Sequence, residues 1–457
     1  MICAEKIESS EATLPEVLDA REERVRLQQC LLAEFGKPLI CFTLNIAGSR
    51  KAFPLAEQAF QEGKRLISQQ MERAGASVVV HKETIGKTGY TEYYSVNADA
   101  EQVKKQMVAV EESCPLGRLF DIDVIRTDGM KISRRDIGLE SRKCLICNSP
   151  AVVCARSRAH SADEVARKTV EIIQNYFEGR FADRIAQTAT RALLYEVATT
   201  PKPGLVDRAN SGAHHDMDFF TFLDSASALT PCFRDFVRKG LTFAGTSAQL
   251  FQSCRSIGQR AEDVMYEATG GVNTHKGLIF SLGVICAAAG RLHGSGQPEK
   301  LDALLELCSK MTAGTVGELT GKSSDSMRTH GEQAYVQYGL SGVRGEASRG
   351  FPHVKNIALP VLRALTSQGV SCNDAGVVTL LHLIANVDDT NIIARSSMEM
   401  LTAIQKETKE LLRTVSAPDE LIRAAGKMDK KFIRQNISPG GCADLLAITF
   451  MLYFLFP

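Results

Sequence analysis

A change of texture near residue 180 constrains this chain more than any other feature. Before it, short runs of β-branched and aromatic residues alternate with stretches of helical spacing. After it, long Ala/Leu/Ser/Thr-rich stretches hold a helical period and strand signals vanish. Two such textures call for two separate cores, and 457 residues are enough for both. The expected boundaries are 1–180 for an α+β domain with a mixed sheet and 181–457 for a larger all-α domain.

In the first domain the apolar spacing predicts helices over Leu14–Phe35, Phe53–Ala74 and Asp99–Glu112, the last opening near Asp99. Strands are expected at Pro38–Asn45, Ser77–Glu83, Gly89–Val96 and Leu119–Ile125, with Thr127–Met130 turning into another short strand. A helix from Ser161 to Phe177 leads to a join near Gly179. Beyond it, helices are expected over Asp183–Thr199, Asp216–Leu229, Leu278–His293, Leu301–Met311, Val354–Thr366, Asp374–Val387, Met398–Val415 and Ala443–Phe456. The apolar run Leu445–Phe456 is shorter than the ~20 residues a spanning helix needs, so it reads as a buried helix and no membrane role is expected.

Charge and cysteine content narrow the class. Lys+Arg 54 against Asp+Glu 53 leaves a net charge of +1, which argues against binding nucleic acid by bulk charge. The 13 cysteines, with no apolar leader in Met1–Glu8, point to a reducing cytoplasm and free thiols.

Chemistry concentrates in a few strings. In Gly117-Arg-Leu-Phe-Asp-Ile-Asp-Val124, residues two apart share a strand face, so Asp121 and Asp123 point together while Phe120, Ile122 and Val124 point to the core. Such a pair repels unless a proton or cation intervenes, and Mg²⁺ bridging to a polyphosphate answers that need. Arg118, Lys131, Arg134 and Arg135 supply cations for phosphate oxygens. The plainer reading is a solvated strand face. Cys144, Cys147, Cys154 and His160 offer a zinc set, although Val152–Cys154 also fits a strand with buried free thiols, the reading preferred here.

In the helical half, Pro201-Lys-Pro-Gly-Leu-Val-Asp207 fixes Lys202 in a stiff turn, and Asn210–Met217 is a polar run between helices. Gly270-Gly-Val-Asn-Thr-His-Lys-Gly277 opens into an apolar helix whose free N–H groups suit an anion, with Asn273, His275 and Lys276 as added donors. Gly317–Ser323 is one residue short of a phosphate loop and no strand precedes it. His330-Gly-Glu, Gly339–Ala347, Gly350–His353, Ala385–Asn391 and Ser438–Asp444 are further polar or glycine-rich clusters. One of them could be a helix cap. So many in one helical domain suggest a site.

These strings carry a resemblance. Through Glu196-Val…Pro-Lys-Pro-Gly-Leu-Val-Asp207, His214-x-Asp-Met217, Gly271–Gly277, Arg344-Gly-Glu-Ala347 and Ser438-Pro-Gly-Gly-Cys-Ala-Asp-Leu445, the second half resembles the triphosphoribosyl-dephospho-CoA synthase family. Through Gly117–Val124 and Arg142-Lys-Cys-x-x-Cys…Cys154-Ala-Arg-Ser-Arg158, the first half resembles the apo-citrate lyase phosphoribosyl-dephospho-CoA transferases. The resemblance implies a transferase that uses ATP, 3′-dephospho-CoA and Mg²⁺, with the apo acyl carrier subunit of citrate lyase as protein partner. Lys202, His275 and Lys276 would meet phosphates over the Gly270–Gly271 turn. His214, Asn273, Arg344, Glu346, Ser438, Gly440 and Gly441 would join them in substrate binding. Glu196, Asp207, Asp388 and Asp389 would be base candidates, the last two also Mg²⁺ candidates. In the first half, Asp121 and Asp123 would hold Mg²⁺, and Arg118, Arg134 and Arg135 the triphosphate. The rival expectations are the equivalent pair of activities for malonate decarboxylase, another ATP-consuming kinase or nucleotidyltransferase, and a non-catalytic helical scaffold.

Overall fold

The computed structural model describes residues 11–147, 149–317, 335 and 337–457. The described chain divides into two compact units between Glu178 and Gly179.

The first unit is built on four strands: β1 (Leu39–Leu44), β2 (Ser77–Gly86), β3 (Gly89–Asn97) and β4 (Phe120–Ile125), in the order β2-β3-β1-β4. Every pairing is antiparallel. The α+β expectation therefore stands, with an antiparallel sheet in place of a mixed one. Three helices accompany the sheet: α1 (Leu14–Phe35), α2 (Pro54–Arg73) and α3 (Ala100–Glu112). Asp99 caps α3 by accepting the Gln102 N–H at 2.9 Å. One sheet face buries Ile40, Phe42, Tyr94, Ile122 and Val124 together with residues of α2 and α3; the other packs Leu39, Cys41 and Tyr93 against Leu27 and Leu31 of α1. Phe42 stacks on Phe60 at 5.1 Å and meets Phe120 edge-on at 5.3 Å, arrangements that add to plain burial. The strand expected after Thr127–Met130 is reduced to a single bridge, Ile125 to Lys131. Val152–Cys154 lies in a short helix, α4 (Ala151–Ser157), not a strand.

A helix of 37 residues, α5 (Ala162–Ala198), replaces the two helices expected either side of Gly179. A glycine inside a helix costs about 1 kcal/mol relative to alanine, too little to stop one whose neighbours include Glu178, Arg180 and Ala182.

The regular elements among the second unit's described residues are all helices: α6 (Phe219–Thr242), α7 (Ser247–Ala268), α8 (Lys276–Gly294), α9 (Leu301–Thr312), α10 (Gly342–Ser348), α11 (Leu359–Ser367), α12 (Cys372–Asn386), α13 (Thr390–Arg395), α14 (Met398–Thr414), α15 (Pro418–Arg434) and α16 (Gly440–Leu455). A π-helical turn, Val354–Ala358, leads into α11. Sequence reading passes over α7 and α15, whose apolar stripes are diluted by charge. Two helices lie at the centre. α8 is apolar nearly all round and mostly buried, and α16 buries Leu445 to Leu452 without a break, as expected for core helices. α6 and α8 meet almost backbone to backbone. A Cβ on Gly240 would come within 2.0 Å of the Ala287 carbonyl oxygen, and one on Gly290 within 2.1 Å of the Val237 oxygen.

Candidate functional site

In the first unit the paired acids sit on β4, an outer strand. Phe120, Ile122 and Val124 are buried, while Asp121 is exposed and Asp123 partly so. Their strand partners on β1 are Thr43 and Cys41. Lys131 donates to Asp123 Oδ2 at 2.6 Å. The surrounding protein, and then the charge of Asp123, raise the Asp121 carboxyl above the ordinary aspartate range, against the pull of Arg142 and Lys131. A cation between the two carboxylates would relieve that repulsion, so the donor set fits a divalent metal ion.

The basic stretch is tied down around this strand. Arg118 donates to the Cys144 carbonyl at 2.6 Å, and Arg142 to the Phe120 carbonyl at 2.5 Å. Arg142 also pairs with the buried Glu111. Arg134 bridges Glu111 at 2.6 Å and Glu112 at 2.8 Å, so its charge is already met. Arg135 is exposed. Beneath the strand, Lys104 donates to the Ile122 carbonyl at 2.9 Å, and burial lowers its ammonium pKa.

In the second unit, α5 delivers Glu196 and the following turn folds Lys202 back onto it. Lys202 Nζ donates to Glu196 Oε1, with the two residues 1% and 3% exposed. Burial raises the Glu196 carboxyl, and the Lys202 ammonium opposes the shift. Asp207 shapes the turn: Oδ2 accepts the Lys202 N–H at 2.9 Å, and Oδ1 those of Ala209 and Asn210 at 2.7 and 3.1 Å. Asp207 is thus committed to backbone.

His275 lies just before α8 and is 1% exposed. Its Nδ1 is 2.7 Å from Ser225 Oγ, which itself accepts from Thr274 Oγ1 at 2.8 Å. Ser225 therefore donates to Nδ1, and the ring proton resides on Nε2. That Nε2 is buried and has no hydrogen-bond partner among the described residues. Burial, and then Lys202, push the imidazole down to about 3, so it is a neutral N–H donor at physiological pH.

Asp389 precedes α13 and is 1% exposed. Oδ1 accepts the Asn391 N–H and Oδ2 the Cys442 N–H, each at 2.8 Å, tying Asp389 to the first turn of α16. Burial raises its carboxyl against those bonds. Asp444, two residues beyond Cys442 in α16, is pushed well above the aspartate range by loss of solvent and then by the charges of Glu196 and Asp389. Its carboxylate rests on Gly277, where a Cβ would stand 2.2 Å from Oδ2. Only glycine leaves room for it.

Glu196, Lys202, His275, Asp389 and Asp444 thus form one cluster at the amino-terminal ends of α8 and α16. Sequence reading misses Asp444 as a site residue. The available signal was a lone acid near the start of an otherwise apolar helix, three residues after a pair of glycines. Gly441 packs on Asp389 and Gly440 on Asn391. Asp388, one residue from Asp389, is exposed and accepts from Gln405 at 3.1 Å.

The remaining expected residues flank the cluster. His214 sets Nε2 2.9 Å from Ser438 Oγ and accepts from Arg395 on Nδ1 at 3.2 Å; burial and then Arg395 push it down to about 4. Gly271 takes φ +93°, and Asn273 Oδ1 accepts the Lys276 N–H at 3.3 Å. Lys276 pairs with Glu262 at 2.8 Å. Glu262 lines a cleft of about 290 Å³ with Phe251, Arg255, Phe280 and Arg344. Glu346 holds His353 at 2.7 Å. Gly317 apart, the near-phosphate loop lies outside the described residues, as does His330-Gly-Glu.

Comparison with known proteins agrees with this division. The profile of the family described as ATP:dephospho-CoA triphosphoribosyl transferase matches residues 182–456. That described as apo-citrate lyase phosphoribosyl-dephospho-CoA transferase matches residues 12–176. The chain is 36% identical to a protein named CitXG from Haemophilus influenzae, over 98% of this chain and 97% of that protein. It is 34% identical to a CitXG from Leuconostoc mesenteroides subsp. cremoris, over 96% of each. Its helical part is 42% identical to a probable 2-(5″-triphosphoribosyl)-3′-dephosphocoenzyme-A synthase of Pectobacterium carotovorum, covering 62% of this chain and 92% of that protein. The chain belongs to the ATP:dephospho-CoA triphosphoribosyl transferase family through its helical unit, and to the apo-citrate lyase phosphoribosyl-dephospho-CoA transferase family through its sheet unit.

Proposed function

We propose that this chain makes the citrate lyase prosthetic group and attaches it, one step in each unit. In the helical unit the ribose 2′-hydroxyl of 3′-dephospho-CoA attacks the anomeric carbon of the ATP ribose. The glycosidic C–N bond breaks, adenine leaves, and 2′-(5″-triphosphoribosyl)-3′-dephospho-CoA forms. Such a reaction needs a base for the hydroxyl and an acid for the departing base. The observation that carries this reading is the gathering of three carboxyls, Glu196 on the buried Lys202, Asp389 on the Cys442 N–H and Asp444 against Gly277, where α8 and α16 begin. Asp444, which among the described residues has neither a backbone N–H nor an ammonium on its carboxyl, gives its proton to adenine. Glu196, kept as a carboxylate by Lys202, takes the hydroxyl proton. His275 Nε2–H donates to the substrate, and Lys276 and the Gly270–Gly271 turn face the triphosphate. The cleft with Phe251, Phe280, Arg255 and Arg344 suits a nucleotide base.

In the sheet unit the serine oxygen of the apo acyl carrier attacks the α-phosphorus of that product, and pyrophosphate leaves. Asp121 and Asp123 would hold Mg²⁺, which supplies charge neutralisation at the triphosphate when bound. Arg118 and the exposed Arg135 would meet the triphosphate, with Arg134 ordering the basic segment through Glu111. Both steps use cytoplasmic substrates.

Mass spectrometry of apo carrier after incubation with the chain, ATP, Mg²⁺ and dephospho-CoA tests both halves. Adenine and a phosphoribosyl-dephospho-CoA adduct are expected. Release of ADP or AMP in place of adenine would mean a different ATP-consuming enzyme, and no ATP binding would mean a scaffold.

A further inference from the structure

We propose that Cys144, Cys147, Cys154 and His160 form a structural zinc site that folds the basic segment against the catalytic strand of the sheet unit. The donor atoms of these four side chains all lie within 4.8 Å of one another. Cys147 Sγ is 3.4 Å from Cys154 Sγ and 3.4 Å from His160 Nε2. Tetrahedral zinc, with Zn–S of about 2.3 Å and Zn–N of about 2.0–2.1 Å, sets its ligand atoms about 3.5–3.8 Å apart, so only small adjustments close the site. The spacing, Cys-x2-Cys followed by Cys-x5-His, is that of a knuckle and a short helix. The Ile146 N–H points at Cys144 Sγ at 3.5 Å, as N–H groups do toward metal-bound thiolates.

A second observation concerns what else could hold this segment. Among the described residues from 133 to 160, only Cys144 and Cys154 are buried, while Leu139, Ile146, Val152 and Val153 are exposed. Regular structure there is limited to two short helical turns and the single bridge Lys143 to Pro150. Of its Leu, Ile and Val side chains only Ile137 and Leu145 rest, half-buried, on the sheet core; so little apolar burial orders a stretch of this length weakly, and a metal staple supplies the rest. The staple matters because Arg118 is bonded to the Cys144 carbonyl and Arg142 to the Phe120 carbonyl. Binding breaks three S–H bonds, forms three Zn–S bonds and one Zn–N bond, and releases three protons to solvent.

Elemental analysis of the full chain, reduced and purified without chelator, tests the site. One zinc per chain is expected, falling severalfold in Cys147→Ser and Cys154→Ser and unchanged in Cys254→Ser, which alters a core thiol of the helical unit. Should the ligand variants fail to fold, the wild-type chain still decides. After chelation it should take up Co²⁺ with the visible bands and thiolate charge-transfer of a tetrahedral site. The metal-free chain should become open to trypsin between Arg142 and Arg158. Iron in place of zinc, a Cys147–Cys154 disulfide in the freshly isolated chain, or a metal-free chain with no Co²⁺ spectrum would each overturn the proposal.

Discussion

On the sheet unit's outer strand, Asp121 and Asp123 face solvent with Lys131 at 2.6 Å. In the helical unit, the buried ammonium of Lys202 lies on Glu196, and Glu196 and Asp389 both act on Asp444 between the helices. The same residue type is tuned differently in the two places. At the open strand the Asp121 carboxyl is raised by the surrounding protein and then by its neighbour Asp123, and it can answer to ions that come and go. In the enclosed cluster the carboxyls are raised by lost solvent and fixed neighbours. The contrast fits the substrates proposed: a serine on a folded carrier needs an open face, whereas a ribose hydroxyl and a nucleotide can be surrounded.

Separating the two chemistries gives the largest expected effects. Asp444→Asn should lower adenine formation by on the order of 10²–10⁴-fold, the usual worth of a positioned acid, while carrier loading from supplied triphosphoribosyl-dephospho-CoA is untouched. Asp123→Asn should do the reverse. Equal losses of both activities in either variant would break the comparison. Because Asp444 is held above its ordinary range in the fold, its cost to the folded state grows as pH rises through the unfolded value toward the folded one. Asp444→Asn should therefore melt higher than wild type at neutral pH, with no gain in acid.

Geometry comes next. Gly277→Ala should cost about 10²-fold in adenine formation by displacing the Asp444 carboxylate, a loss appropriate to roughly 1 Å of misplacement. Asp389→Asn should likewise impair the first step while Asp388→Asn does not, since only Asp389 faces the α16 turn. Similar kcat values for the two variants would refute that assignment.

The histidines supply a smaller, pH-dependent effect. His214 and His275 are pushed from 6.5 down to about 4 and about 3, so the stability they favour is complete above 6.5 and is lost as pH falls through that window. Each can steepen acid unfolding of the helical unit by up to about 1.4 kcal/mol per pH unit, and His275→Asn should flatten the curve measured by denaturant titration. The smallest change is expected at Lys131→Ala. An exposed ion pair contributes ~0–1 kcal/mol, so stability should hold while KM for the triphosphate rises.

The architecture was largely legible because periodicity is a local property. Strand alternation placed Asp121 and Asp123 on one face with no tertiary information, and the apolar run at the end of the chain announced a core helix. The continuous α5 was not legible, since a glycine is a weak stop signal without its neighbours' packing. Nor was α7, whose charged positions hide a narrow stripe. In the site, the strings around Lys202, His275 and Asp389 stood out through their glycines and polar clusters. What they do to one another did not. Lys202 reads as a phosphate ligand until Glu196 is seen against it, and Asp388 and Asp389 are equivalent until one turns inward. Asp444 emerges only when the starts of α8 and α16 are brought together.

The close seam between α6 and α8 has a further consequence. With Gly240 and Gly290 set against opposing carbonyls, α8 cannot slide or rotate without backbone collision. Its first turn, carrying His275, Lys276 and Gly277, is therefore indexed from well inside the unit, much as a key is positioned by its shoulder and not by its teeth. A related sequence that keeps every polar residue of the cluster but carries a larger side chain at the position of Gly240 or Gly290 should be a silent relative, folded yet unable to release adenine.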